Sequence, residues 1–458
     1  MDIGVQSASY EDLCRSFRWQ LAEQYNIGRD VCGRWADDRS RFALYFEDEN
    51  GFTSAHTFWD IQREANRLSN VLAALGTLPG DRVAIALAPC PQAAIAHVAT
   101  YQMGALTVPL ASFLTPDALE HRLGDSAAHL AIVDEGTWPR LFSLRERLPQ
   151  LRHVIGVGAA VGHGLRMWAE LLEHASPHYT PRPTLARDPA MLLYASRASG
   201  RPRGVLMAQG TLIGSLSAYV SAHDFFPQPR DLFWSSTDWA GAAGLWAGLL
   251  PTWHFGMPLL AYNGSFDADK AFSLIDRYGV RNLLLSRAAL WAMKESMPEP
   301  RATYDVDLRS MVSVGESIGS EIRQWTREKL GVTVNELFGQ TETTYVAGTG
   351  ASRWPIAPGS ARAYPGHRVA VVDRQGNVLP NGEIGELAVN RRCNGEDDPA
   401  MMLGYWQDRA ATEVSFVGDG WYLTGCLATC DDVGNFRSEG GQTDVFHIGR
   451  DESDRMAR

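Results

Sequence analysis

Apolar, strand-like runs alternate with helical patterns through much of this sequence, and that alternation limits the fold more than any other feature. DRVAIALAP (81–89), PQAAIAHVATYQMGA (91–105) and LTVPLA (106–111) read as strand, helix and strand. Neighbouring parallel strands need a crossover of this kind, and strands buried on both faces read as unbroken apolar runs. Similar runs recur at HLAIVDE (129–135), HVIGVG (153–158), NLLLS (282–286) and SMVSVGE (310–316). The pattern predicts an α/β protein with doubly wound sheets covered by helices on both faces. After about Pro358 the texture changes to short alternating strands, HRVAVVD (367–373), ELAVNRR (386–392) and GWYLTG (420–425), with turn residues between them as in RQGNVLPNGEIG (374–385). These predict a small distorted β-barrel or sandwich. The division expected is one α/β subdomain over 1–185, a second over 186–357, a β-barrel subdomain over 358–450 and a frayed charged tail over 451–458. RATYDVDL (301–308) reads as an exposed loop.

The 458 residues are 45% hydrophobic, enough for two or three cores of ordinary domain size. A formal net charge of −11 argues against nucleic acid and anionic membrane surfaces as partners. The start, MDIGVQSASYEDLC, has no apolar stretch of the secretory or transit kind, so a cytoplasmic location is expected. The most apolar window, 241–262, is broken by Pro251, His254 and Pro258, which suits a buried helix, turn and strand better than a bilayer span. Cysteines at 14, 32, 90, 393, 426 and 430 fit no disulfide framework, and reduced thiols are expected. His97, His121, His254 and His367 lack metal-ligand spacing and read as structural.

Chemistry concentrates in MLLYASRASGRPRGVLMAQGTL (191–212), an apolar strand followed by small, hydroxyl and basic residues. Small residues let backbone N–H groups approach an anion, Ser196 and Ser199 can donate hydrogen bonds, and Arg201 and Arg203 can neutralise charge. Taken alone this signal is weak, and on composition alone a solvated Gly/Arg loop without a ligand is the reading to expect.

This string resembles the phosphate-binding loop of the adenylate-forming superfamily, Tyr-Thr-Ser-Gly-Thr-Thr-Gly-x-Pro-Lys-Gly, at Tyr194, Ser196, Gly200, Pro202 and Gly204. NELFGQTET (335–343) is similar to the family's second signature, with Thr341 in the place of a phosphate contact and Glu342 in that of a magnesium ligand. TDWAGAAGLWAGLLPTWHFGMPLLAY (237–262) and SVGESIG (313–319) resemble acyl-pocket segments of the medium-chain acyl-CoA synthetase branch. The resemblance runs from about 35 to 450. It implies the large N-terminal domain of such an enzyme, with the phosphate loop and acyl pocket in 186–357.

By the same resemblance, Gly315, Glu316 and Ser317 border adenine, and Glu336, Leu337, Phe338 and Gly339 form the strand beneath it. Ordinary strand packing remains the alternative for these. Trp239, Ala240, Gly241, Ala242, Leu245 and Trp246 line a carboxylic-acid tunnel, where apolar walls keep water from a reactive anhydride. The implied reaction is attack of a carboxylate on the α-phosphate of Mg-ATP, then displacement of AMP by a thiol of CoA or a carrier protein. Catalytic roles fall to Thr341, Glu342 and Arg203, because charge spreading over phosphate oxygens needs a metal and cations.

Five departures gather at the nucleotide. Arg197 replaces a Gly, and its side chain can block close backbone approach. Arg203 replaces Lys and keeps the charge with a different shape. Cys426, in WYLTGCLATCDDVGNF (421–436), stands where the family has an Asp that accepts both ribose hydroxyls. Gly441, in FRSEGGQTDVFHIG (436–449), stands where Arg is expected. Finally, the sequence stops at Arg458, so the C-terminal cap domain with its adenylation lysine is expected to be absent, and Lys294 does not replace that lysine.

Two readings follow. In one the protein activates a carboxylic acid weakly, or with a separate subunit. In the other it has lost adenylation and binds an acyl or acyl-thioester ligand. A variant of the second makes Cys426 a nucleophile with His447 nearby, against the simpler reading of an inert thiol. ATP or AMP with magnesium, a small carboxylic acid and a carrier protein are the partners in view, and a homodimer is left open.

Overall fold

The computed structural model describes residues 9–158, 164–196, 200–352, 354, 356 and 359–441. Two large sheets organise them. The first runs in the order Gly404–Tyr405, Arg203–Ala208, Pro189–Ala195, Leu106–Pro109, Arg82–Ala86, Leu130–Val133, His153–Gly156, Arg166–Met167. From Pro189–Ala195 onward its neighbours are parallel, whereas Arg203–Ala208 folds back antiparallel on Pro189–Ala195 with Ala195 opposite Arg203.

The second sheet has a parallel centre, Val334–Gln340, Ser310–Val314, Asn282–Leu285, Phe233–Ser235, Leu259–Asn263 and Phe42–Asp48. On one side Phe42–Asp48 carries an antiparallel partner, Thr53–Thr57. On the other, Thr344–Gly348 and Ser360–Ala363 lead by antiparallel pairing to Phe436–Gly441, Trp421–Cys430, Gly385–Asn390 and Arg368–Val372. The α/β class read from the sequence is therefore the class observed, and the antiparallel strands after 358 form the far end of the second sheet.

Local chemistry explains the main helices. Phe58–Ala74 starts with a capping box in which Thr57 accepts from the Asp60 amide and the Asp60 carboxylate accepts from Thr57 N. Ala268–Tyr278 is capped by Asp267 and ends on Gly279 at φ 64°. In Thr211–Ala222 every residue is buried, and the helix packs behind Val334–Gln340 and Thr344–Gly348. Segment 241–262 forms short helical turns up to His254 and then the strand Leu259–Asn263, in keeping with the helix, turn and strand expected. No helix among the described residues is long and apolar enough to cross a membrane.

One expectation is corrected. The stretch 301–308 is largely irregular after a turn at Pro300–Ala302, but Val306 and Leu308 are buried in the core beside Phe272 and Leu330. Alternating apolar residues in a polar loop gave no sign of this anchoring, because it depends on what the loop crosses.

Candidate functional site

Strand Val334–Gln340 ends in a tight turn that presents Thr341 and Glu342. Gln340 N donates to Thr343 Oγ1 at 3.1 Å, and Thr343 N donates back to Gln340 O at 3.1 Å. The Gln340 amide ties this turn to a distant strand: its Nε2 donates to Thr424 O at 2.6 Å, and Tyr422 Oη donates to its Oε1 at 3.2 Å. Gln340, and with it the turn bearing Thr341 and Glu342, is thus tied to Tyr422 and Thr424, more than 80 residues along the chain.

Glu342 is buried and held from several directions. Tyr405 Oη donates to its Oε1 at 2.9 Å, the Tyr422 phenol lies close enough for the Glu342 charge to act on it, and Met402 N donates to the Glu342 carbonyl at 2.8 Å. Burial, and next the Glu342 charge, push the Tyr405 phenol up to about 12, so it stays a donor. A carboxylate has about four lone-pair positions, so a side chain that accepts from the Tyr405 phenol still has capacity for a magnesium ion. Among the described residues no group of three or more His, Cys, Asp or Glu side chains gathers as a metal cage. The donor set therefore suits a hard cation that keeps water and phosphate oxygens as its other ligands.

Arg203 begins the strand Arg203–Ala208, its guanidinium 5.4 Å from the centre of the Tyr405 ring and 3.7 Å from the Asp408 carboxylate. Just before it, Pro202 O accepts from His121 Nε2 at 2.9 Å. Tyr194 Oη donates to Asp125 at 2.8 Å. Ser196 lies just past the strand Pro189–Ala195, and Gly200 adopts φ 94°. Arg197 and Ser199 lie outside the described residues, as does His447.

Register places the adenine candidates side by side. Val314 is opposite Leu337, so Gly315, Glu316 and Ser317 leave their strand next to the one that carries Phe338 and Gly339. Gly315 turns at φ 97°. Glu336 accepts from Ile318 N at 2.9 Å and pairs with Arg323, which fastens the 315–318 loop to the strand; Glu316 meets Arg287 at 3.5 Å. Trp239, Ala242, Leu245 and Trp246 pack in one core with Phe338. Trp246 Nε1 is buried and donates to no partner among the described residues. Ala240 shares a small cleft with Leu110, Phe113, Arg122 and Tyr194, which brings the segment 237–262 next to the end of the strand Pro189–Ala195. Lys294 lies apart, paired with Glu321 on a helix surface at 2.5 Å.

Cys426 is half-buried on Trp421–Cys430, directly opposite Gly441 across the ladder. Its Sγ lies 3.9 Å from Thr424 O. Burial pushes the thiol up, the Thr424 hydrogen bond opposes this, and the Glu386 charge adds to the rise. Iodoacetamide at neutral pH is therefore expected to alkylate Cys426 more slowly than a free thiol, with the rate climbing on the alkaline side; peptide mass spectrometry reads both. Fast labelling at pH 7 would reveal a stabilised thiolate.

A family model described as "AMP-binding enzyme" matches residues 34–406. The chain belongs to the AMP-binding enzyme family. Among its relatives is the acetyl-coenzyme A synthetase of Bacillus subtilis (strain 168), 27% identical, with 96% of this chain and 78% of that protein covered. The human mitochondrial acyl-coenzyme A synthetase ACSM3 is 24% identical over 94% of this chain and 74% of its own length. The crystal structure of Brucella canis acyl-CoA synthetase superimposes with a TM-score of 0.85 at 25% identity, covering 94% of this chain and 79% of that one. The anthranilate CoA ligase AuaEII, solved with anthranoyl-AMP, shares the fold at a TM-score of 0.82 and 21% identity, covering 92% and 78%. This AMP-binding family member is acyl-CoA synthetase-like and adenylate-forming in fold. Sequence reasoning named Thr341, Glu342 and Arg203 but missed Gln340, Tyr405, Tyr422 and Glu386. A Tyr in GYW or WYL carries no local signal, and only the tertiary approach of strands gives these side chains their partners.

Proposed function

We propose that this AMP-binding family member receives a small carboxylic acid and an adenine nucleotide in one cleft and that its adenylation step is impaired. The observation that carries this reading is the register of Cys426 against Gly441. Two departures from the family pattern thus occupy directly facing positions. Both would remove polar grip from one place, the ribose, while the turn bearing Thr341 and Glu342 keeps a full set of supports.

The roles assigned are as follows. A carboxylate oxygen bonds to the α-phosphorus and pyrophosphate leaves. Arg203 offers positive charge to the phosphate oxygens, Thr341 offers a hydroxyl, and Glu342 holds magnesium, which when bound neutralises the growing charge. Ser196, Ser199 and Gly200 surround the phosphates. Gly315, Glu316, Ser317, Phe338 and Gly339 flank the base. Trp239, Ala240, Gly241, Ala242, Leu245 and Trp246 exclude water from the acid, and the buried Trp246 N–H supplies a donor for one polar atom of it. Loss of the ribose acceptor weakens nucleotide binding, so less of the protein is loaded at a given ATP concentration. CoA or a carrier-protein thiol is the acceptor class.

Calorimetry with AMP and Mg-ATP, paired with a hydroxamate trap over a panel of acids, tests the proposal. Weak but saturable nucleotide binding with slow hydroxamate formation is expected. Rapid pyrophosphate release by the protein as it stands would overturn the impairment. Acyl-thioester binding with no nucleotide binding would favour a second reading, a non-adenylating ligand-binding protein. The half-buried thiol of Cys426, two residues past the Thr424 carbonyl that anchors the Thr341–Glu342 turn, is the feature that favours that alternative.

A further inference from the structure

Tyr405 touches both charged groups assigned to the nucleotide, although it belongs to neither signature. Its ring faces the Arg203 guanidinium at 5.4 Å, and its hydroxyl donates to Glu342 at 2.9 Å. The residue is fixed by a short strand, Gly404–Tyr405, that adds to the edge of the first sheet with Tyr405 opposite Val205. Tyr405 N donates to Thr412 Oγ1 at 2.9 Å, and the neighbouring Trp406 N donates to Gly204 O at 2.8 Å. Backbone pairing on both sides of the residue therefore sets its position relative to Arg203, while the phenol reaches across to the turn at the end of the second sheet.

An arginine and a carboxylate in one partly dry cleft attract each other strongly, and a direct pair would use the donors and lone pairs that phosphate and metal need. An interposed neutral ring answers both charges without consuming either. Its face is attractive to a cation, and its hydroxyl hydrogen bonds to the anion. Asp408, 3.7 Å from Arg203 and roughly two-fifths exposed, draws the guanidinium to the outer side of the ring. Glu342 is held at the hydroxyl end of the same side chain.

We propose that Tyr405 is a positioning residue that keeps Arg203 and Glu342 apart and orients the Glu342 carboxylate for a divalent cation. The inference rests on the nucleotide reading of the cleft. It assigns Tyr405 a role in metal-dependent binding and none in metal-free binding, which a purely structural side chain would not separate.

The test uses the intact chain and two variants, Tyr405→Phe and Tyr405→Leu. Three quantities are measured: Mn²⁺ binding by electron paramagnetic resonance, Mg-ATP binding by calorimetry, and AMP binding in EDTA. Tyr405→Phe keeps the ring over Arg203 and loses the bond to Glu342. It is expected to weaken Mn²⁺ and Mg-ATP about tenfold, the low end for loss of a group that orients a metal ligand, since the turn that carries Glu342 stays anchored through Gln340 and Met402 N. AMP binding in EDTA is expected to stay within about twofold, because one neutral hydrogen bond to a group not used by metal-free ligand is removed. Tyr405→Leu removes the spacer as well, and a further loss of Mg-ATP affinity beyond the Phe variant is expected. Thermal melts verify folding, and if the Leu variant does not fold the Phe variant alone decides.

Unchanged Mg-ATP and Mn²⁺ binding in Tyr405→Phe overturns the proposal, as does an equal loss for AMP in EDTA. If the unmodified protein binds neither nucleotide nor Mn²⁺, the reading of the cleft fails and this inference falls with it. That outcome differs from the first two, in which the unmodified protein does bind nucleotide and Mn²⁺ measurably.

Discussion

Cys426→Asp is expected to raise AMP affinity roughly thirty- to a thousandfold, which corresponds to about 2–4 kcal/mol from a pair of charge-assisted hydrogen bonds to the ribose. The surroundings decide where in that range it falls. Glu386 Oε1 accepts from Gly425 N at 2.6 Å, and the Glu386 charge already pushes the Cys426 thiol up. A new carboxylate at 426 meets the same repulsion, so the single variant should sit near the low end. Adding Gly441→Arg places a cation opposite position 426 and should lift the double variant above the sum of the two singles. Facing opposite charges on an antiparallel pair couple by about 0.2–1 kcal/mol. Calorimetric titration of AMP into the three variants gives the whole cycle. An affinity unmoved by Cys426→Asp, alone or in the double variant, means that this strand does not meet the ribose.

The second large effect is on stability. Asp231 is buried with no side-chain exposure, and Arg309 grips it with two parallel bonds, Nε to Oδ1 at 2.7 Å and Nη2 to Oδ2 at 2.6 Å. Arg309 Nη1 also donates to the carbonyls of His223 and Asp224, each at 2.9 Å, where Asp224 and Phe225 carry positive φ. Arg309→Leu leaves a buried carboxylate without its cation and frees two loop carbonyls. A loss of about 3–5 kcal/mol in unfolding free energy is expected. Gln228 N still donates to Asp231 at 2.8 Å, which favours the lower figure. Urea unfolding followed by tryptophan fluorescence measures it, and pairing the change with Asp231→Asn should recover part of the loss. A drop under about 1 kcal/mol would place this pair in the class of weak surface bridges.

How much of this was readable in the chain varies from element to element. Buried parallel strands announce themselves, because both faces must be apolar; hence Arg82–Ala86, Leu106–Pro109 and Leu130–Val133 fall inside the runs read as strands. The hairpin Phe42–Asp48 and Thr53–Thr57 joins the second sheet against Leu259–Asn263, some 200 residues away, and nothing local encodes that pairing. Val306 and Leu308 show the same gap, being single apolar residues whose burial depends on a surface supplied from elsewhere. At the cleft, Thr341, Glu342 and Arg203 stand out through motif order. Tyr405, Tyr422 and Glu386 look like ordinary strand residues.

The sequence by itself determined the α/β class, the kinship, and the identity of the residues that depart from the family pattern. Those properties reside in local apolar periodicity and in strings of neighbouring residues, which need no coordinates. Only the tertiary structure decided that Cys426 faces Gly441, that Gln340 ties the Thr341–Glu342 turn to Thr424, and that one phenol stands between Arg203 and Glu342. Register and side-chain approach between distant strands come from packing the whole chain at once, since each such contact depends on elements that share no sequence with one another.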